Sequence, residues 1–97
     1  MIRSFKNNAT KKIFNRFHSK KIPSDIQRAA FRKLRMINRS QNINDLRIPP
    51  ANRLEKLKGE RAGQYSIRIN DQWRICFSWE DGDVFDVEIV DYITGGK

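Results

Sequence analysis

The sequence has few of the residue types on which metal sites, disulfides and many nucleophilic active sites depend. It contains one cysteine and one histidine in 97 residues. A single cysteine, Cys76, cannot form an internal disulfide, which agrees with a reducing compartment. The lone His18 excludes acid–base chemistry built on two histidines, and no CxxC, HExxH or phosphate-binding glycine loop occurs. Cys76 lies inside a predicted strand, which indicates packing rather than catalysis.

Long apolar runs are also missing. No run approaches the ~20 apolar residues needed to cross a bilayer, and the first residues lack the apolar centre of a secretory signal. We therefore expect a cytoplasmic protein without a membrane partner. Asp81, Asp83 and Asp86 surround a predicted turn, but the spacing of a calcium loop is absent. A solvated hairpin turn is the preferred interpretation, and no metal or other cofactor is expected.

Acidic residues are too few to balance the basic ones. The chain has 20 Lys and Arg against 11 Asp and Glu, a net charge of +9. Residues 1–61 hold 17 basic and four acidic residues, whereas residues 62–97 hold three and seven. Such a charge favours polyanionic partners such as nucleic acid, a ribosome or an acidic protein. The length predicts one domain over residues 1–97 with a modest core.

Two helices are predicted in the basic half. Asn8 is expected to cap a short helix that runs to about Phe17. A second helix is expected from Ser24, which forms a capping box with Gln27. Four apolar residues recur along it at helical spacing, namely Ile26, Ala30, Leu34 and Ile37. A separate stripe consists of Arg28, Arg32, Arg35 and Arg39, which either contacts phosphates, faces solvent or docks an acidic partner.

Residues 63–92 predict three antiparallel strands joined by two tight turns. Period-two alternation gives the segment an apolar side and a polar side. Three-residue loops at 70–72 and 80–82 would keep the apolar residues of neighbouring strands on one face. That face is expected to carry Tyr65, Ile67, Ile69, Trp73, Ile75, Phe77, Trp79, Phe85, Val87 and Ile89.

The same register places two arginines face to face. It sets Arg68 opposite Arg74 on one neighbouring strand, and Glu88 opposite Arg74 on the other. Like charges directly opposite each other destabilise a strand pair, so we expect an anion between the arginines. Either Glu88 or a bound phosphate could supply that anion, and the residues alone leave both open.

An arginine pair suits the cleavage of RNA by its own 2′-hydroxyl. This reaction needs a base, an acid and cations for the charge on the phosphorus oxygens. Arginine is a poor base, but its planar fork fits a phosphate, and a tyrosine or lysine could move protons if cations lowered its pKa. The candidates are Arg68, Arg74, Lys58 and Tyr92. Nucleic-acid binding without cleavage stays open as well.

Four segments carry a family resemblance: IRSFK at 2–6, RLEKLKG at 53–59, SIRINDQWR at 66–74 and VEIVDY at 87–92. Together they resemble HigB-type toxins of type II toxin–antitoxin systems, in the RelE/ParE superfamily, and within these the GraT-like subgroup. The resemblance implies an α+β fold with two N-terminal helices packed on a small twisted antiparallel sheet. It also implies metal-independent, ribosome-dependent cleavage of messenger RNA in the decoding site.

The resemblance implies partners and residue roles too. The partner would be a HigA-like helix-turn-helix antitoxin, and operator DNA would be bound only through the complex with it. The catalytic residues would be Arg68, Arg74, Lys58 and Tyr92, and the substrate-binding residues would be Arg53, Asn70 and Asp91. The stripe of Arg28, Arg32, Arg35 and Arg39 would contact the ribosome, RNA or the antitoxin.

The chain departs from this pattern at two positions. Glu55 and Ile93 stand where many relatives have histidine, so the proton transfers of those histidines cannot be carried over. Cleavage would have to depend on Lys58, Tyr92 or Asp91, or on positioning by the ribosome. Two alternatives are a gyrase-inhibiting toxin of the ParE type and a non-catalytic module that binds RNA or the ribosome. Residues 93–97 are expected to form a flexible tail.

Overall fold

The computed structural model describes residues 1–93, as two helices against a four-stranded antiparallel sheet. The expected α+β fold is confirmed, and the expected tail lies outside the described residues apart from Ile93. No helix in the described range is long and apolar enough to span a membrane. The helices are α1 (Asn8–Phe14) and α2 (Ser24–Arg39), and the strands are β1 (Glu55–Lys56), β2 (Gln64–Arg68), β3 (Trp73–Glu80) and β4 (Asp83–Asp91), in the spatial order β1-β2-β3-β4.

Helix α2 packs its apolar side on the sheet as its periodicity predicts. Leu34 and Ile37 are completely buried, and they join Ile67, Ile75 and Phe77 of the sheet in one core cluster. The predicted arginine stripe lies on the exposed side of the same helix. The apolar residues and the arginines, which form separate stripes in the sequence of α2, therefore lie on different faces of the helix.

The predicted capping box at the start of α2 is wrong. Pro23 occupies the N-cap position, so no side-chain cap bond forms there. The amide of Gln27 instead holds the preceding connection, because its nitrogen donates to the carbonyl oxygens of Ser19 at 2.7 Å and Ile22 at 2.6 Å. Ser24 and Gln27 match the sequence of a capping box, but the helix already begins at Ser24. Ser24 is therefore the first helical residue and does not occupy the N-cap position.

Helix α1 is also shifted and shorter than predicted. Asn7, not Asn8, is its N-cap, and its side-chain oxygen accepts a hydrogen bond from the N–H of Thr10 at 2.9 Å. The helix ends at Phe14. Phe17 consequently lies beyond the end of the helix and is 67% exposed.

The β2–β3 hairpin has the predicted register. Arg68 lies opposite Arg74, and residues 70–72 form the loop. The side-chain oxygen of Asn70 accepts hydrogen bonds from the N–H groups of Gln72 and Trp73, each at 2.8 Å. This local bond closes the turn, which explains why an asparagine precedes it.

The β3–β4 hairpin differs from the prediction in its turn and in its register. The turn has two residues, Asp81 and Gly82, both with positive φ (50° and 85°), as hairpin turns of this length require. Farther along, Asp86 and Val87 lie between two ladder pairs and together oppose Phe77, which is a β-bulge. Asp86 has a φ of 55° there.

Turn and bulge together change which residues face each other. Arg74 lies opposite Val90, so the predicted pairing of Arg74 with Glu88 is wrong. Val84 is completely buried, whereas Phe85 is only half-buried, so the predicted place of Phe85 on the apolar side is also wrong. An alternation count allows one residue per step and cannot include the extra residue of a bulge.

The N-terminal residues cover the outer edge of β4. Ile2 and Phe5 form isolated parallel bridges with Val84 and Val87. The backbone N–H of Arg3 donates to the carbonyl oxygen of Val84 at 2.7 Å. The segment therefore continues the sheet by hydrogen bonding without being a regular strand.

Candidate functional site

A surface pocket of about 300 Å³ lies where the facing ends of β2 and β3 meet the end of β4. Three of its lining side chains are cations and one is a carboxylate. We call it the arginine pocket, and its lining residues are Arg53, Arg68, Asn70, Asp71, Arg74 and Tyr92. Five of the seven predicted catalytic and substrate-binding residues therefore meet in one place.

Arg74 is the most constrained residue of the pocket, with 8% of its surface exposed. Its Nε donates to the hydroxyl of Ser66 at 2.8 Å, and its Nη2 donates to the carbonyl oxygen of Arg53 at 2.6 Å. The carboxylate of Glu55 lies 3.5 Å from the same Nη2. The ring of Tyr92 is 5.5 Å from its Cζ, within cation–π range. These contacts fix the plane of the guanidinium.

Arg68 is half-exposed and pairs with the carboxylate of Asp71 in the adjacent turn. Each of the two facing arginines thus has its own carboxylate partner, Glu55 for Arg74 and Asp71 for Arg68. Glu88, one of the two anions that the sequence left open for this role, instead pairs with Arg61 at 3.1 Å. These carboxylates partly offset the two like charges, and both arginines still line the arginine pocket.

Tyr92 keeps its proton at neutral pH. Burial raises the pKa of its hydroxyl, and the neighbouring Arg74 opposes this less strongly. A tyrosine that acts as a base needs a lowered pKa, so Tyr92 is not suited to that role. The hydroxyl lies 3.9 Å from the sulfur of Cys76, whose own pKa is raised by burial. Tyr92 is suited to donate a proton, and Cys76 is a packed, protonated thiol.

Two of the predicted residues do not line the pocket. Lys58 is exposed and lies beyond β1, before a short 3-10 turn (Gly59–Arg61). The carboxylate of Asp91 accepts hydrogen bonds from Nε2 of Gln72 at 3.0 Å and from the N–H of Ile93 at 3.0 Å. Asp91 thus organises the end of β4 beside the pocket.

Sequence reasoning missed Glu55 and Asp71 as site residues. Asp71 follows Asn70 in the loop between the two arginines, so the predicted hairpin already contained the signal that it lies near Arg68. Glu55 stands where many relatives have histidine, but nothing in the sequence indicated that it lies near Arg74. It reaches Arg74 only because β1 pairs with β2, where Glu55 lies opposite Ser66.

A second concave surface, which we call the helix groove, follows the basic side of α2. It has a volume of about 550 Å³. The guanidinium carbons of Arg16 and Arg35 lie 4.9 Å and 5.8 Å from the centroid of the Phe31 ring. Arg28, although part of the predicted stripe, lines a different groove with Phe17 and His18. The helix groove is lined by Arg16, Phe31, Arg32, Lys33, Arg35, Met36, Arg39 and Pro49.

The three aspartates near the β3–β4 turn do not gather around a common point. Within residues 1–93, no three His, Cys, Asp or Glu side chains lie close enough to hold a metal ion. Asp83 accepts a hydrogen bond from Nε of Arg3 at 3.0 Å. The acidic turn is thus connected to the N-terminal segment.

Residues 3–93 match the family model of HigB-like toxins, described as the RelE-like toxin of the type II toxin–antitoxin system HigB. The chain belongs to the HigB-like toxin family. It is similar to Toxin HigB-1 of Vibrio cholerae, with 52% identity over 61 residues, which is 63% of this chain and 64% of that protein. It is also similar to Endoribonuclease HigB of Proteus vulgaris, with 33% identity over 93 residues, 95% of this chain and 99% of that protein. The matches thus span just under two thirds of the first relative and nearly all of the second.

Solved structures support the fold of this HigB-like family member. A heterotetrameric YoeB–YefM toxin–antitoxin complex from Staphylococcus aureus contains a chain that matches with a TM-score of 0.59 at 20% identity. The match covers 95% of this chain and 97% of that one. At this identity the likeness concerns the RelE-like fold alone.

Proposed function

We propose that this HigB-like toxin is an endoribonuclease that cleaves messenger RNA bound to the ribosome and so inhibits translation and growth. The observation that carries the proposal is the arginine pocket, in which Arg68 and Arg74 face each other beside the protonated hydroxyl of Tyr92. Similarity to a protein named Endoribonuclease HigB supports it.

The scissile phosphate is proposed to lie between the two arginines. Nε and Nη2 of Arg74 are held by Ser66 and Arg53, and within residues 1–93 its Nη1 donates no hydrogen bond. A guanidinium fixed from one side presents its remaining donors in a constant direction, which suits the charge that develops in a transition state. Arg68, half-exposed, supplies the second cation.

Glu55 and Tyr92 are proposed to transfer the protons. Glu55 takes the proton of the 2′-hydroxyl, the 2′-oxygen attacks phosphorus, and the bond from phosphorus to the 5′-oxygen breaks. Tyr92 donates its proton to the departing 5′-oxygen. The products are a 2′,3′-cyclic phosphate and a 5′-hydroxyl, and no metal takes part.

The test is cleavage of a messenger RNA with and without programmed ribosomes, followed by primer extension. New ends are expected only with ribosomes. Ends without ribosomes would contradict the ribosome dependence. RNA binding without new ends would indicate a non-catalytic module, and trapped cleaved DNA in a supercoiling assay would indicate a gyrase inhibitor.

The Glu55→Gln variant tests the proposed base. We expect the single-turnover cleavage rate on programmed ribosomes to fall roughly 100-fold, since general-base catalysis contributes on this order. Glutamine retains an oxygen that can accept from Arg74, so stability should change little. Glu60→Gln, at an exposed carboxylate outside the pocket, is the matched control. A rate within threefold of the parent would rule out Glu55 as the base.

The remaining expectations concern partners. We propose that a HigA-like helix-turn-helix antitoxin neutralises the protein in the cytoplasm, and that operator DNA is bound only through that complex. Support comes from the family, and from the solved YoeB relatives that are complexes with an antitoxin. The exposed stripe of Arg28, Arg32, Arg35 and Arg39 is available for contact with the ribosome, RNA or the antitoxin.

A further inference from the structure

The helix groove carries positive charge that the protein does not neutralise. Its charged lining residues, Arg16, Arg32, Lys33, Arg35 and Arg39, are all cations. Within residues 1–93 no salt bridge reaches any of them. Elsewhere in the same range, Arg3, Arg61, Arg68 and Arg74 each pair with a carboxylate. Cations gathered in a concave surface without counter-charge attract an anionic ligand.

Lys33 is the most fixed of these cations. It is half-buried, and its Nζ donates a hydrogen bond to the side-chain oxygen of Asn52. Asn52 is itself completely buried, and its amide nitrogen donates to the carbonyl oxygen of Leu46 at 3.1 Å. The ammonium group is therefore held in place by a buried amide, whereas most surface lysines move freely.

Lys33 also stands at the boundary between the helix groove and the arginine pocket. Asn52, which holds it, is followed directly by Arg53, which lines the pocket and accepts the hydrogen bond from Arg74. Burial lowers the pKa of Lys33, and the charges of Arg32 and Arg68 lower it further. Lys33 therefore lies close enough to Arg68 of the arginine pocket to be affected by its charge.

We propose that Lys33 and the helix groove form a second phosphate site, which binds the RNA backbone phosphate neighbouring the one held between Arg68 and Arg74. The ligand class is single-stranded RNA, so this inference rests on the proposed function. RNA carries one phosphate per nucleotide, so a strand bound in the pocket has further phosphates available for the groove. The guanidinium groups beside Phe31 add flat cationic surfaces on which bases stack.

The experiment compares two non-cleavable oligoadenylates, in which 2′-O-methyl groups replace the attacking hydroxyl. A dinucleotide has one phosphate and a tetranucleotide has three, and NMR titration gives the affinity of each. With Lys33→Gln we expect the dinucleotide affinity to stay within twofold and the tetranucleotide affinity to fall about 5-fold. The salt slope of tetranucleotide binding should decrease by about 0.7, the value for one lost contact.

The variants separate charge from structure. Glutamine removes the charge and keeps an N–H donor, and equal melting temperatures of the variant and the parent will check the fold. Lys33→Arg is expected to restore tetranucleotide binding, and Lys20→Gln, at an exposed lysine outside the groove, should change neither affinity.

Three results would overturn the second site. The first is a tetranucleotide that binds the parent protein no more tightly than the dinucleotide does. The second is an equal loss of affinity for both oligonucleotides in Lys33→Gln. The third is no loss of affinity for either oligonucleotide in that variant. Because these measurements report binding, a protein that binds as expected and cleaves no messenger RNA would contradict the proposed function alone.

Discussion

Replacement of Arg74 by alanine is expected to lower the rate of messenger RNA cleavage about 10³-fold, the scale of a lost fixed donor or cation at a transition state. It should also destabilise the protein by about 1–3 kcal/mol, because the hydroxyl of Ser66 and the carbonyl of Arg53 lose their donor. Single-turnover cleavage on programmed ribosomes and urea unfolding measure the two effects.

Arg74→Lys distinguishes charge from orientation. Lysine keeps the positive charge but cannot donate to Ser66 and Arg53 and still present a planar fork to a phosphate. We expect this variant to remain folded and to lose about 10²-fold in rate. Full activity of Arg74→Lys would show that charge alone suffices, and a parental rate for folded Arg74→Ala would refute the phosphate role.

Phe77→Ala is expected to cost about 3–5 kcal/mol of unfolding free energy, the range for removing a buried phenylalanine. Phe77 is completely buried, and its ring lies 6.3 Å from that of Tyr65 across the β2–β3 ladder. A small domain has only about 5–15 kcal/mol in total, so the variant should unfold at a much lower urea concentration. Equilibrium urea unfolding followed by tryptophan fluorescence measures the loss.

Phe85→Ala is the matched control, because it also removes a phenylalanine side chain, at a position directly next to the bulge. Phe85 is half-buried on the other side of the sheet, and we expect a loss of about 1 kcal/mol. Similar losses for Phe77→Ala and Phe85→Ala would contradict the register that the bulge produces.

The β-bulge in β4 is also the feature of this fold that could not be predicted from the sequence. Helical spacing predicted the buried side of α2, and a loop of three residues predicted the pairing of Arg68 with Arg74, since both depend only on adjacent residues. In β4 the alternation predicted Phe85, Val87 and Ile89 on the apolar side. Val84 and Val87 are three residues apart, and only the extra residue, Asp86, lets both face the core.

The part of the candidate site that lies within one hairpin could be predicted from the sequence. Arg68, Asn70 and Arg74 belong to one hairpin, so their proximity follows from the turn. The approach of Glu55 to Arg74 depends on the pairing of β1 with β2, and the approach of Lys33 depends on the docking of α2 beside Asn52. Contacts between distant segments leave no periodic signal in a single sequence.

The N-terminal segment that bridges Val84 and Val87 has a consequence for self-association. An uncovered outer strand offers a row of free N–H and C=O groups to another chain. At the opposite side of the sheet, β1 has only two residues, whereas β4 has nine. Asp86 contributes to the cover, because its N–H donates to the hydroxyl of Ser4 at 2.9 Å. Residues 1–5 do not line the arginine pocket, and their loss would open the longest strand of the sheet to pairing with a second copy.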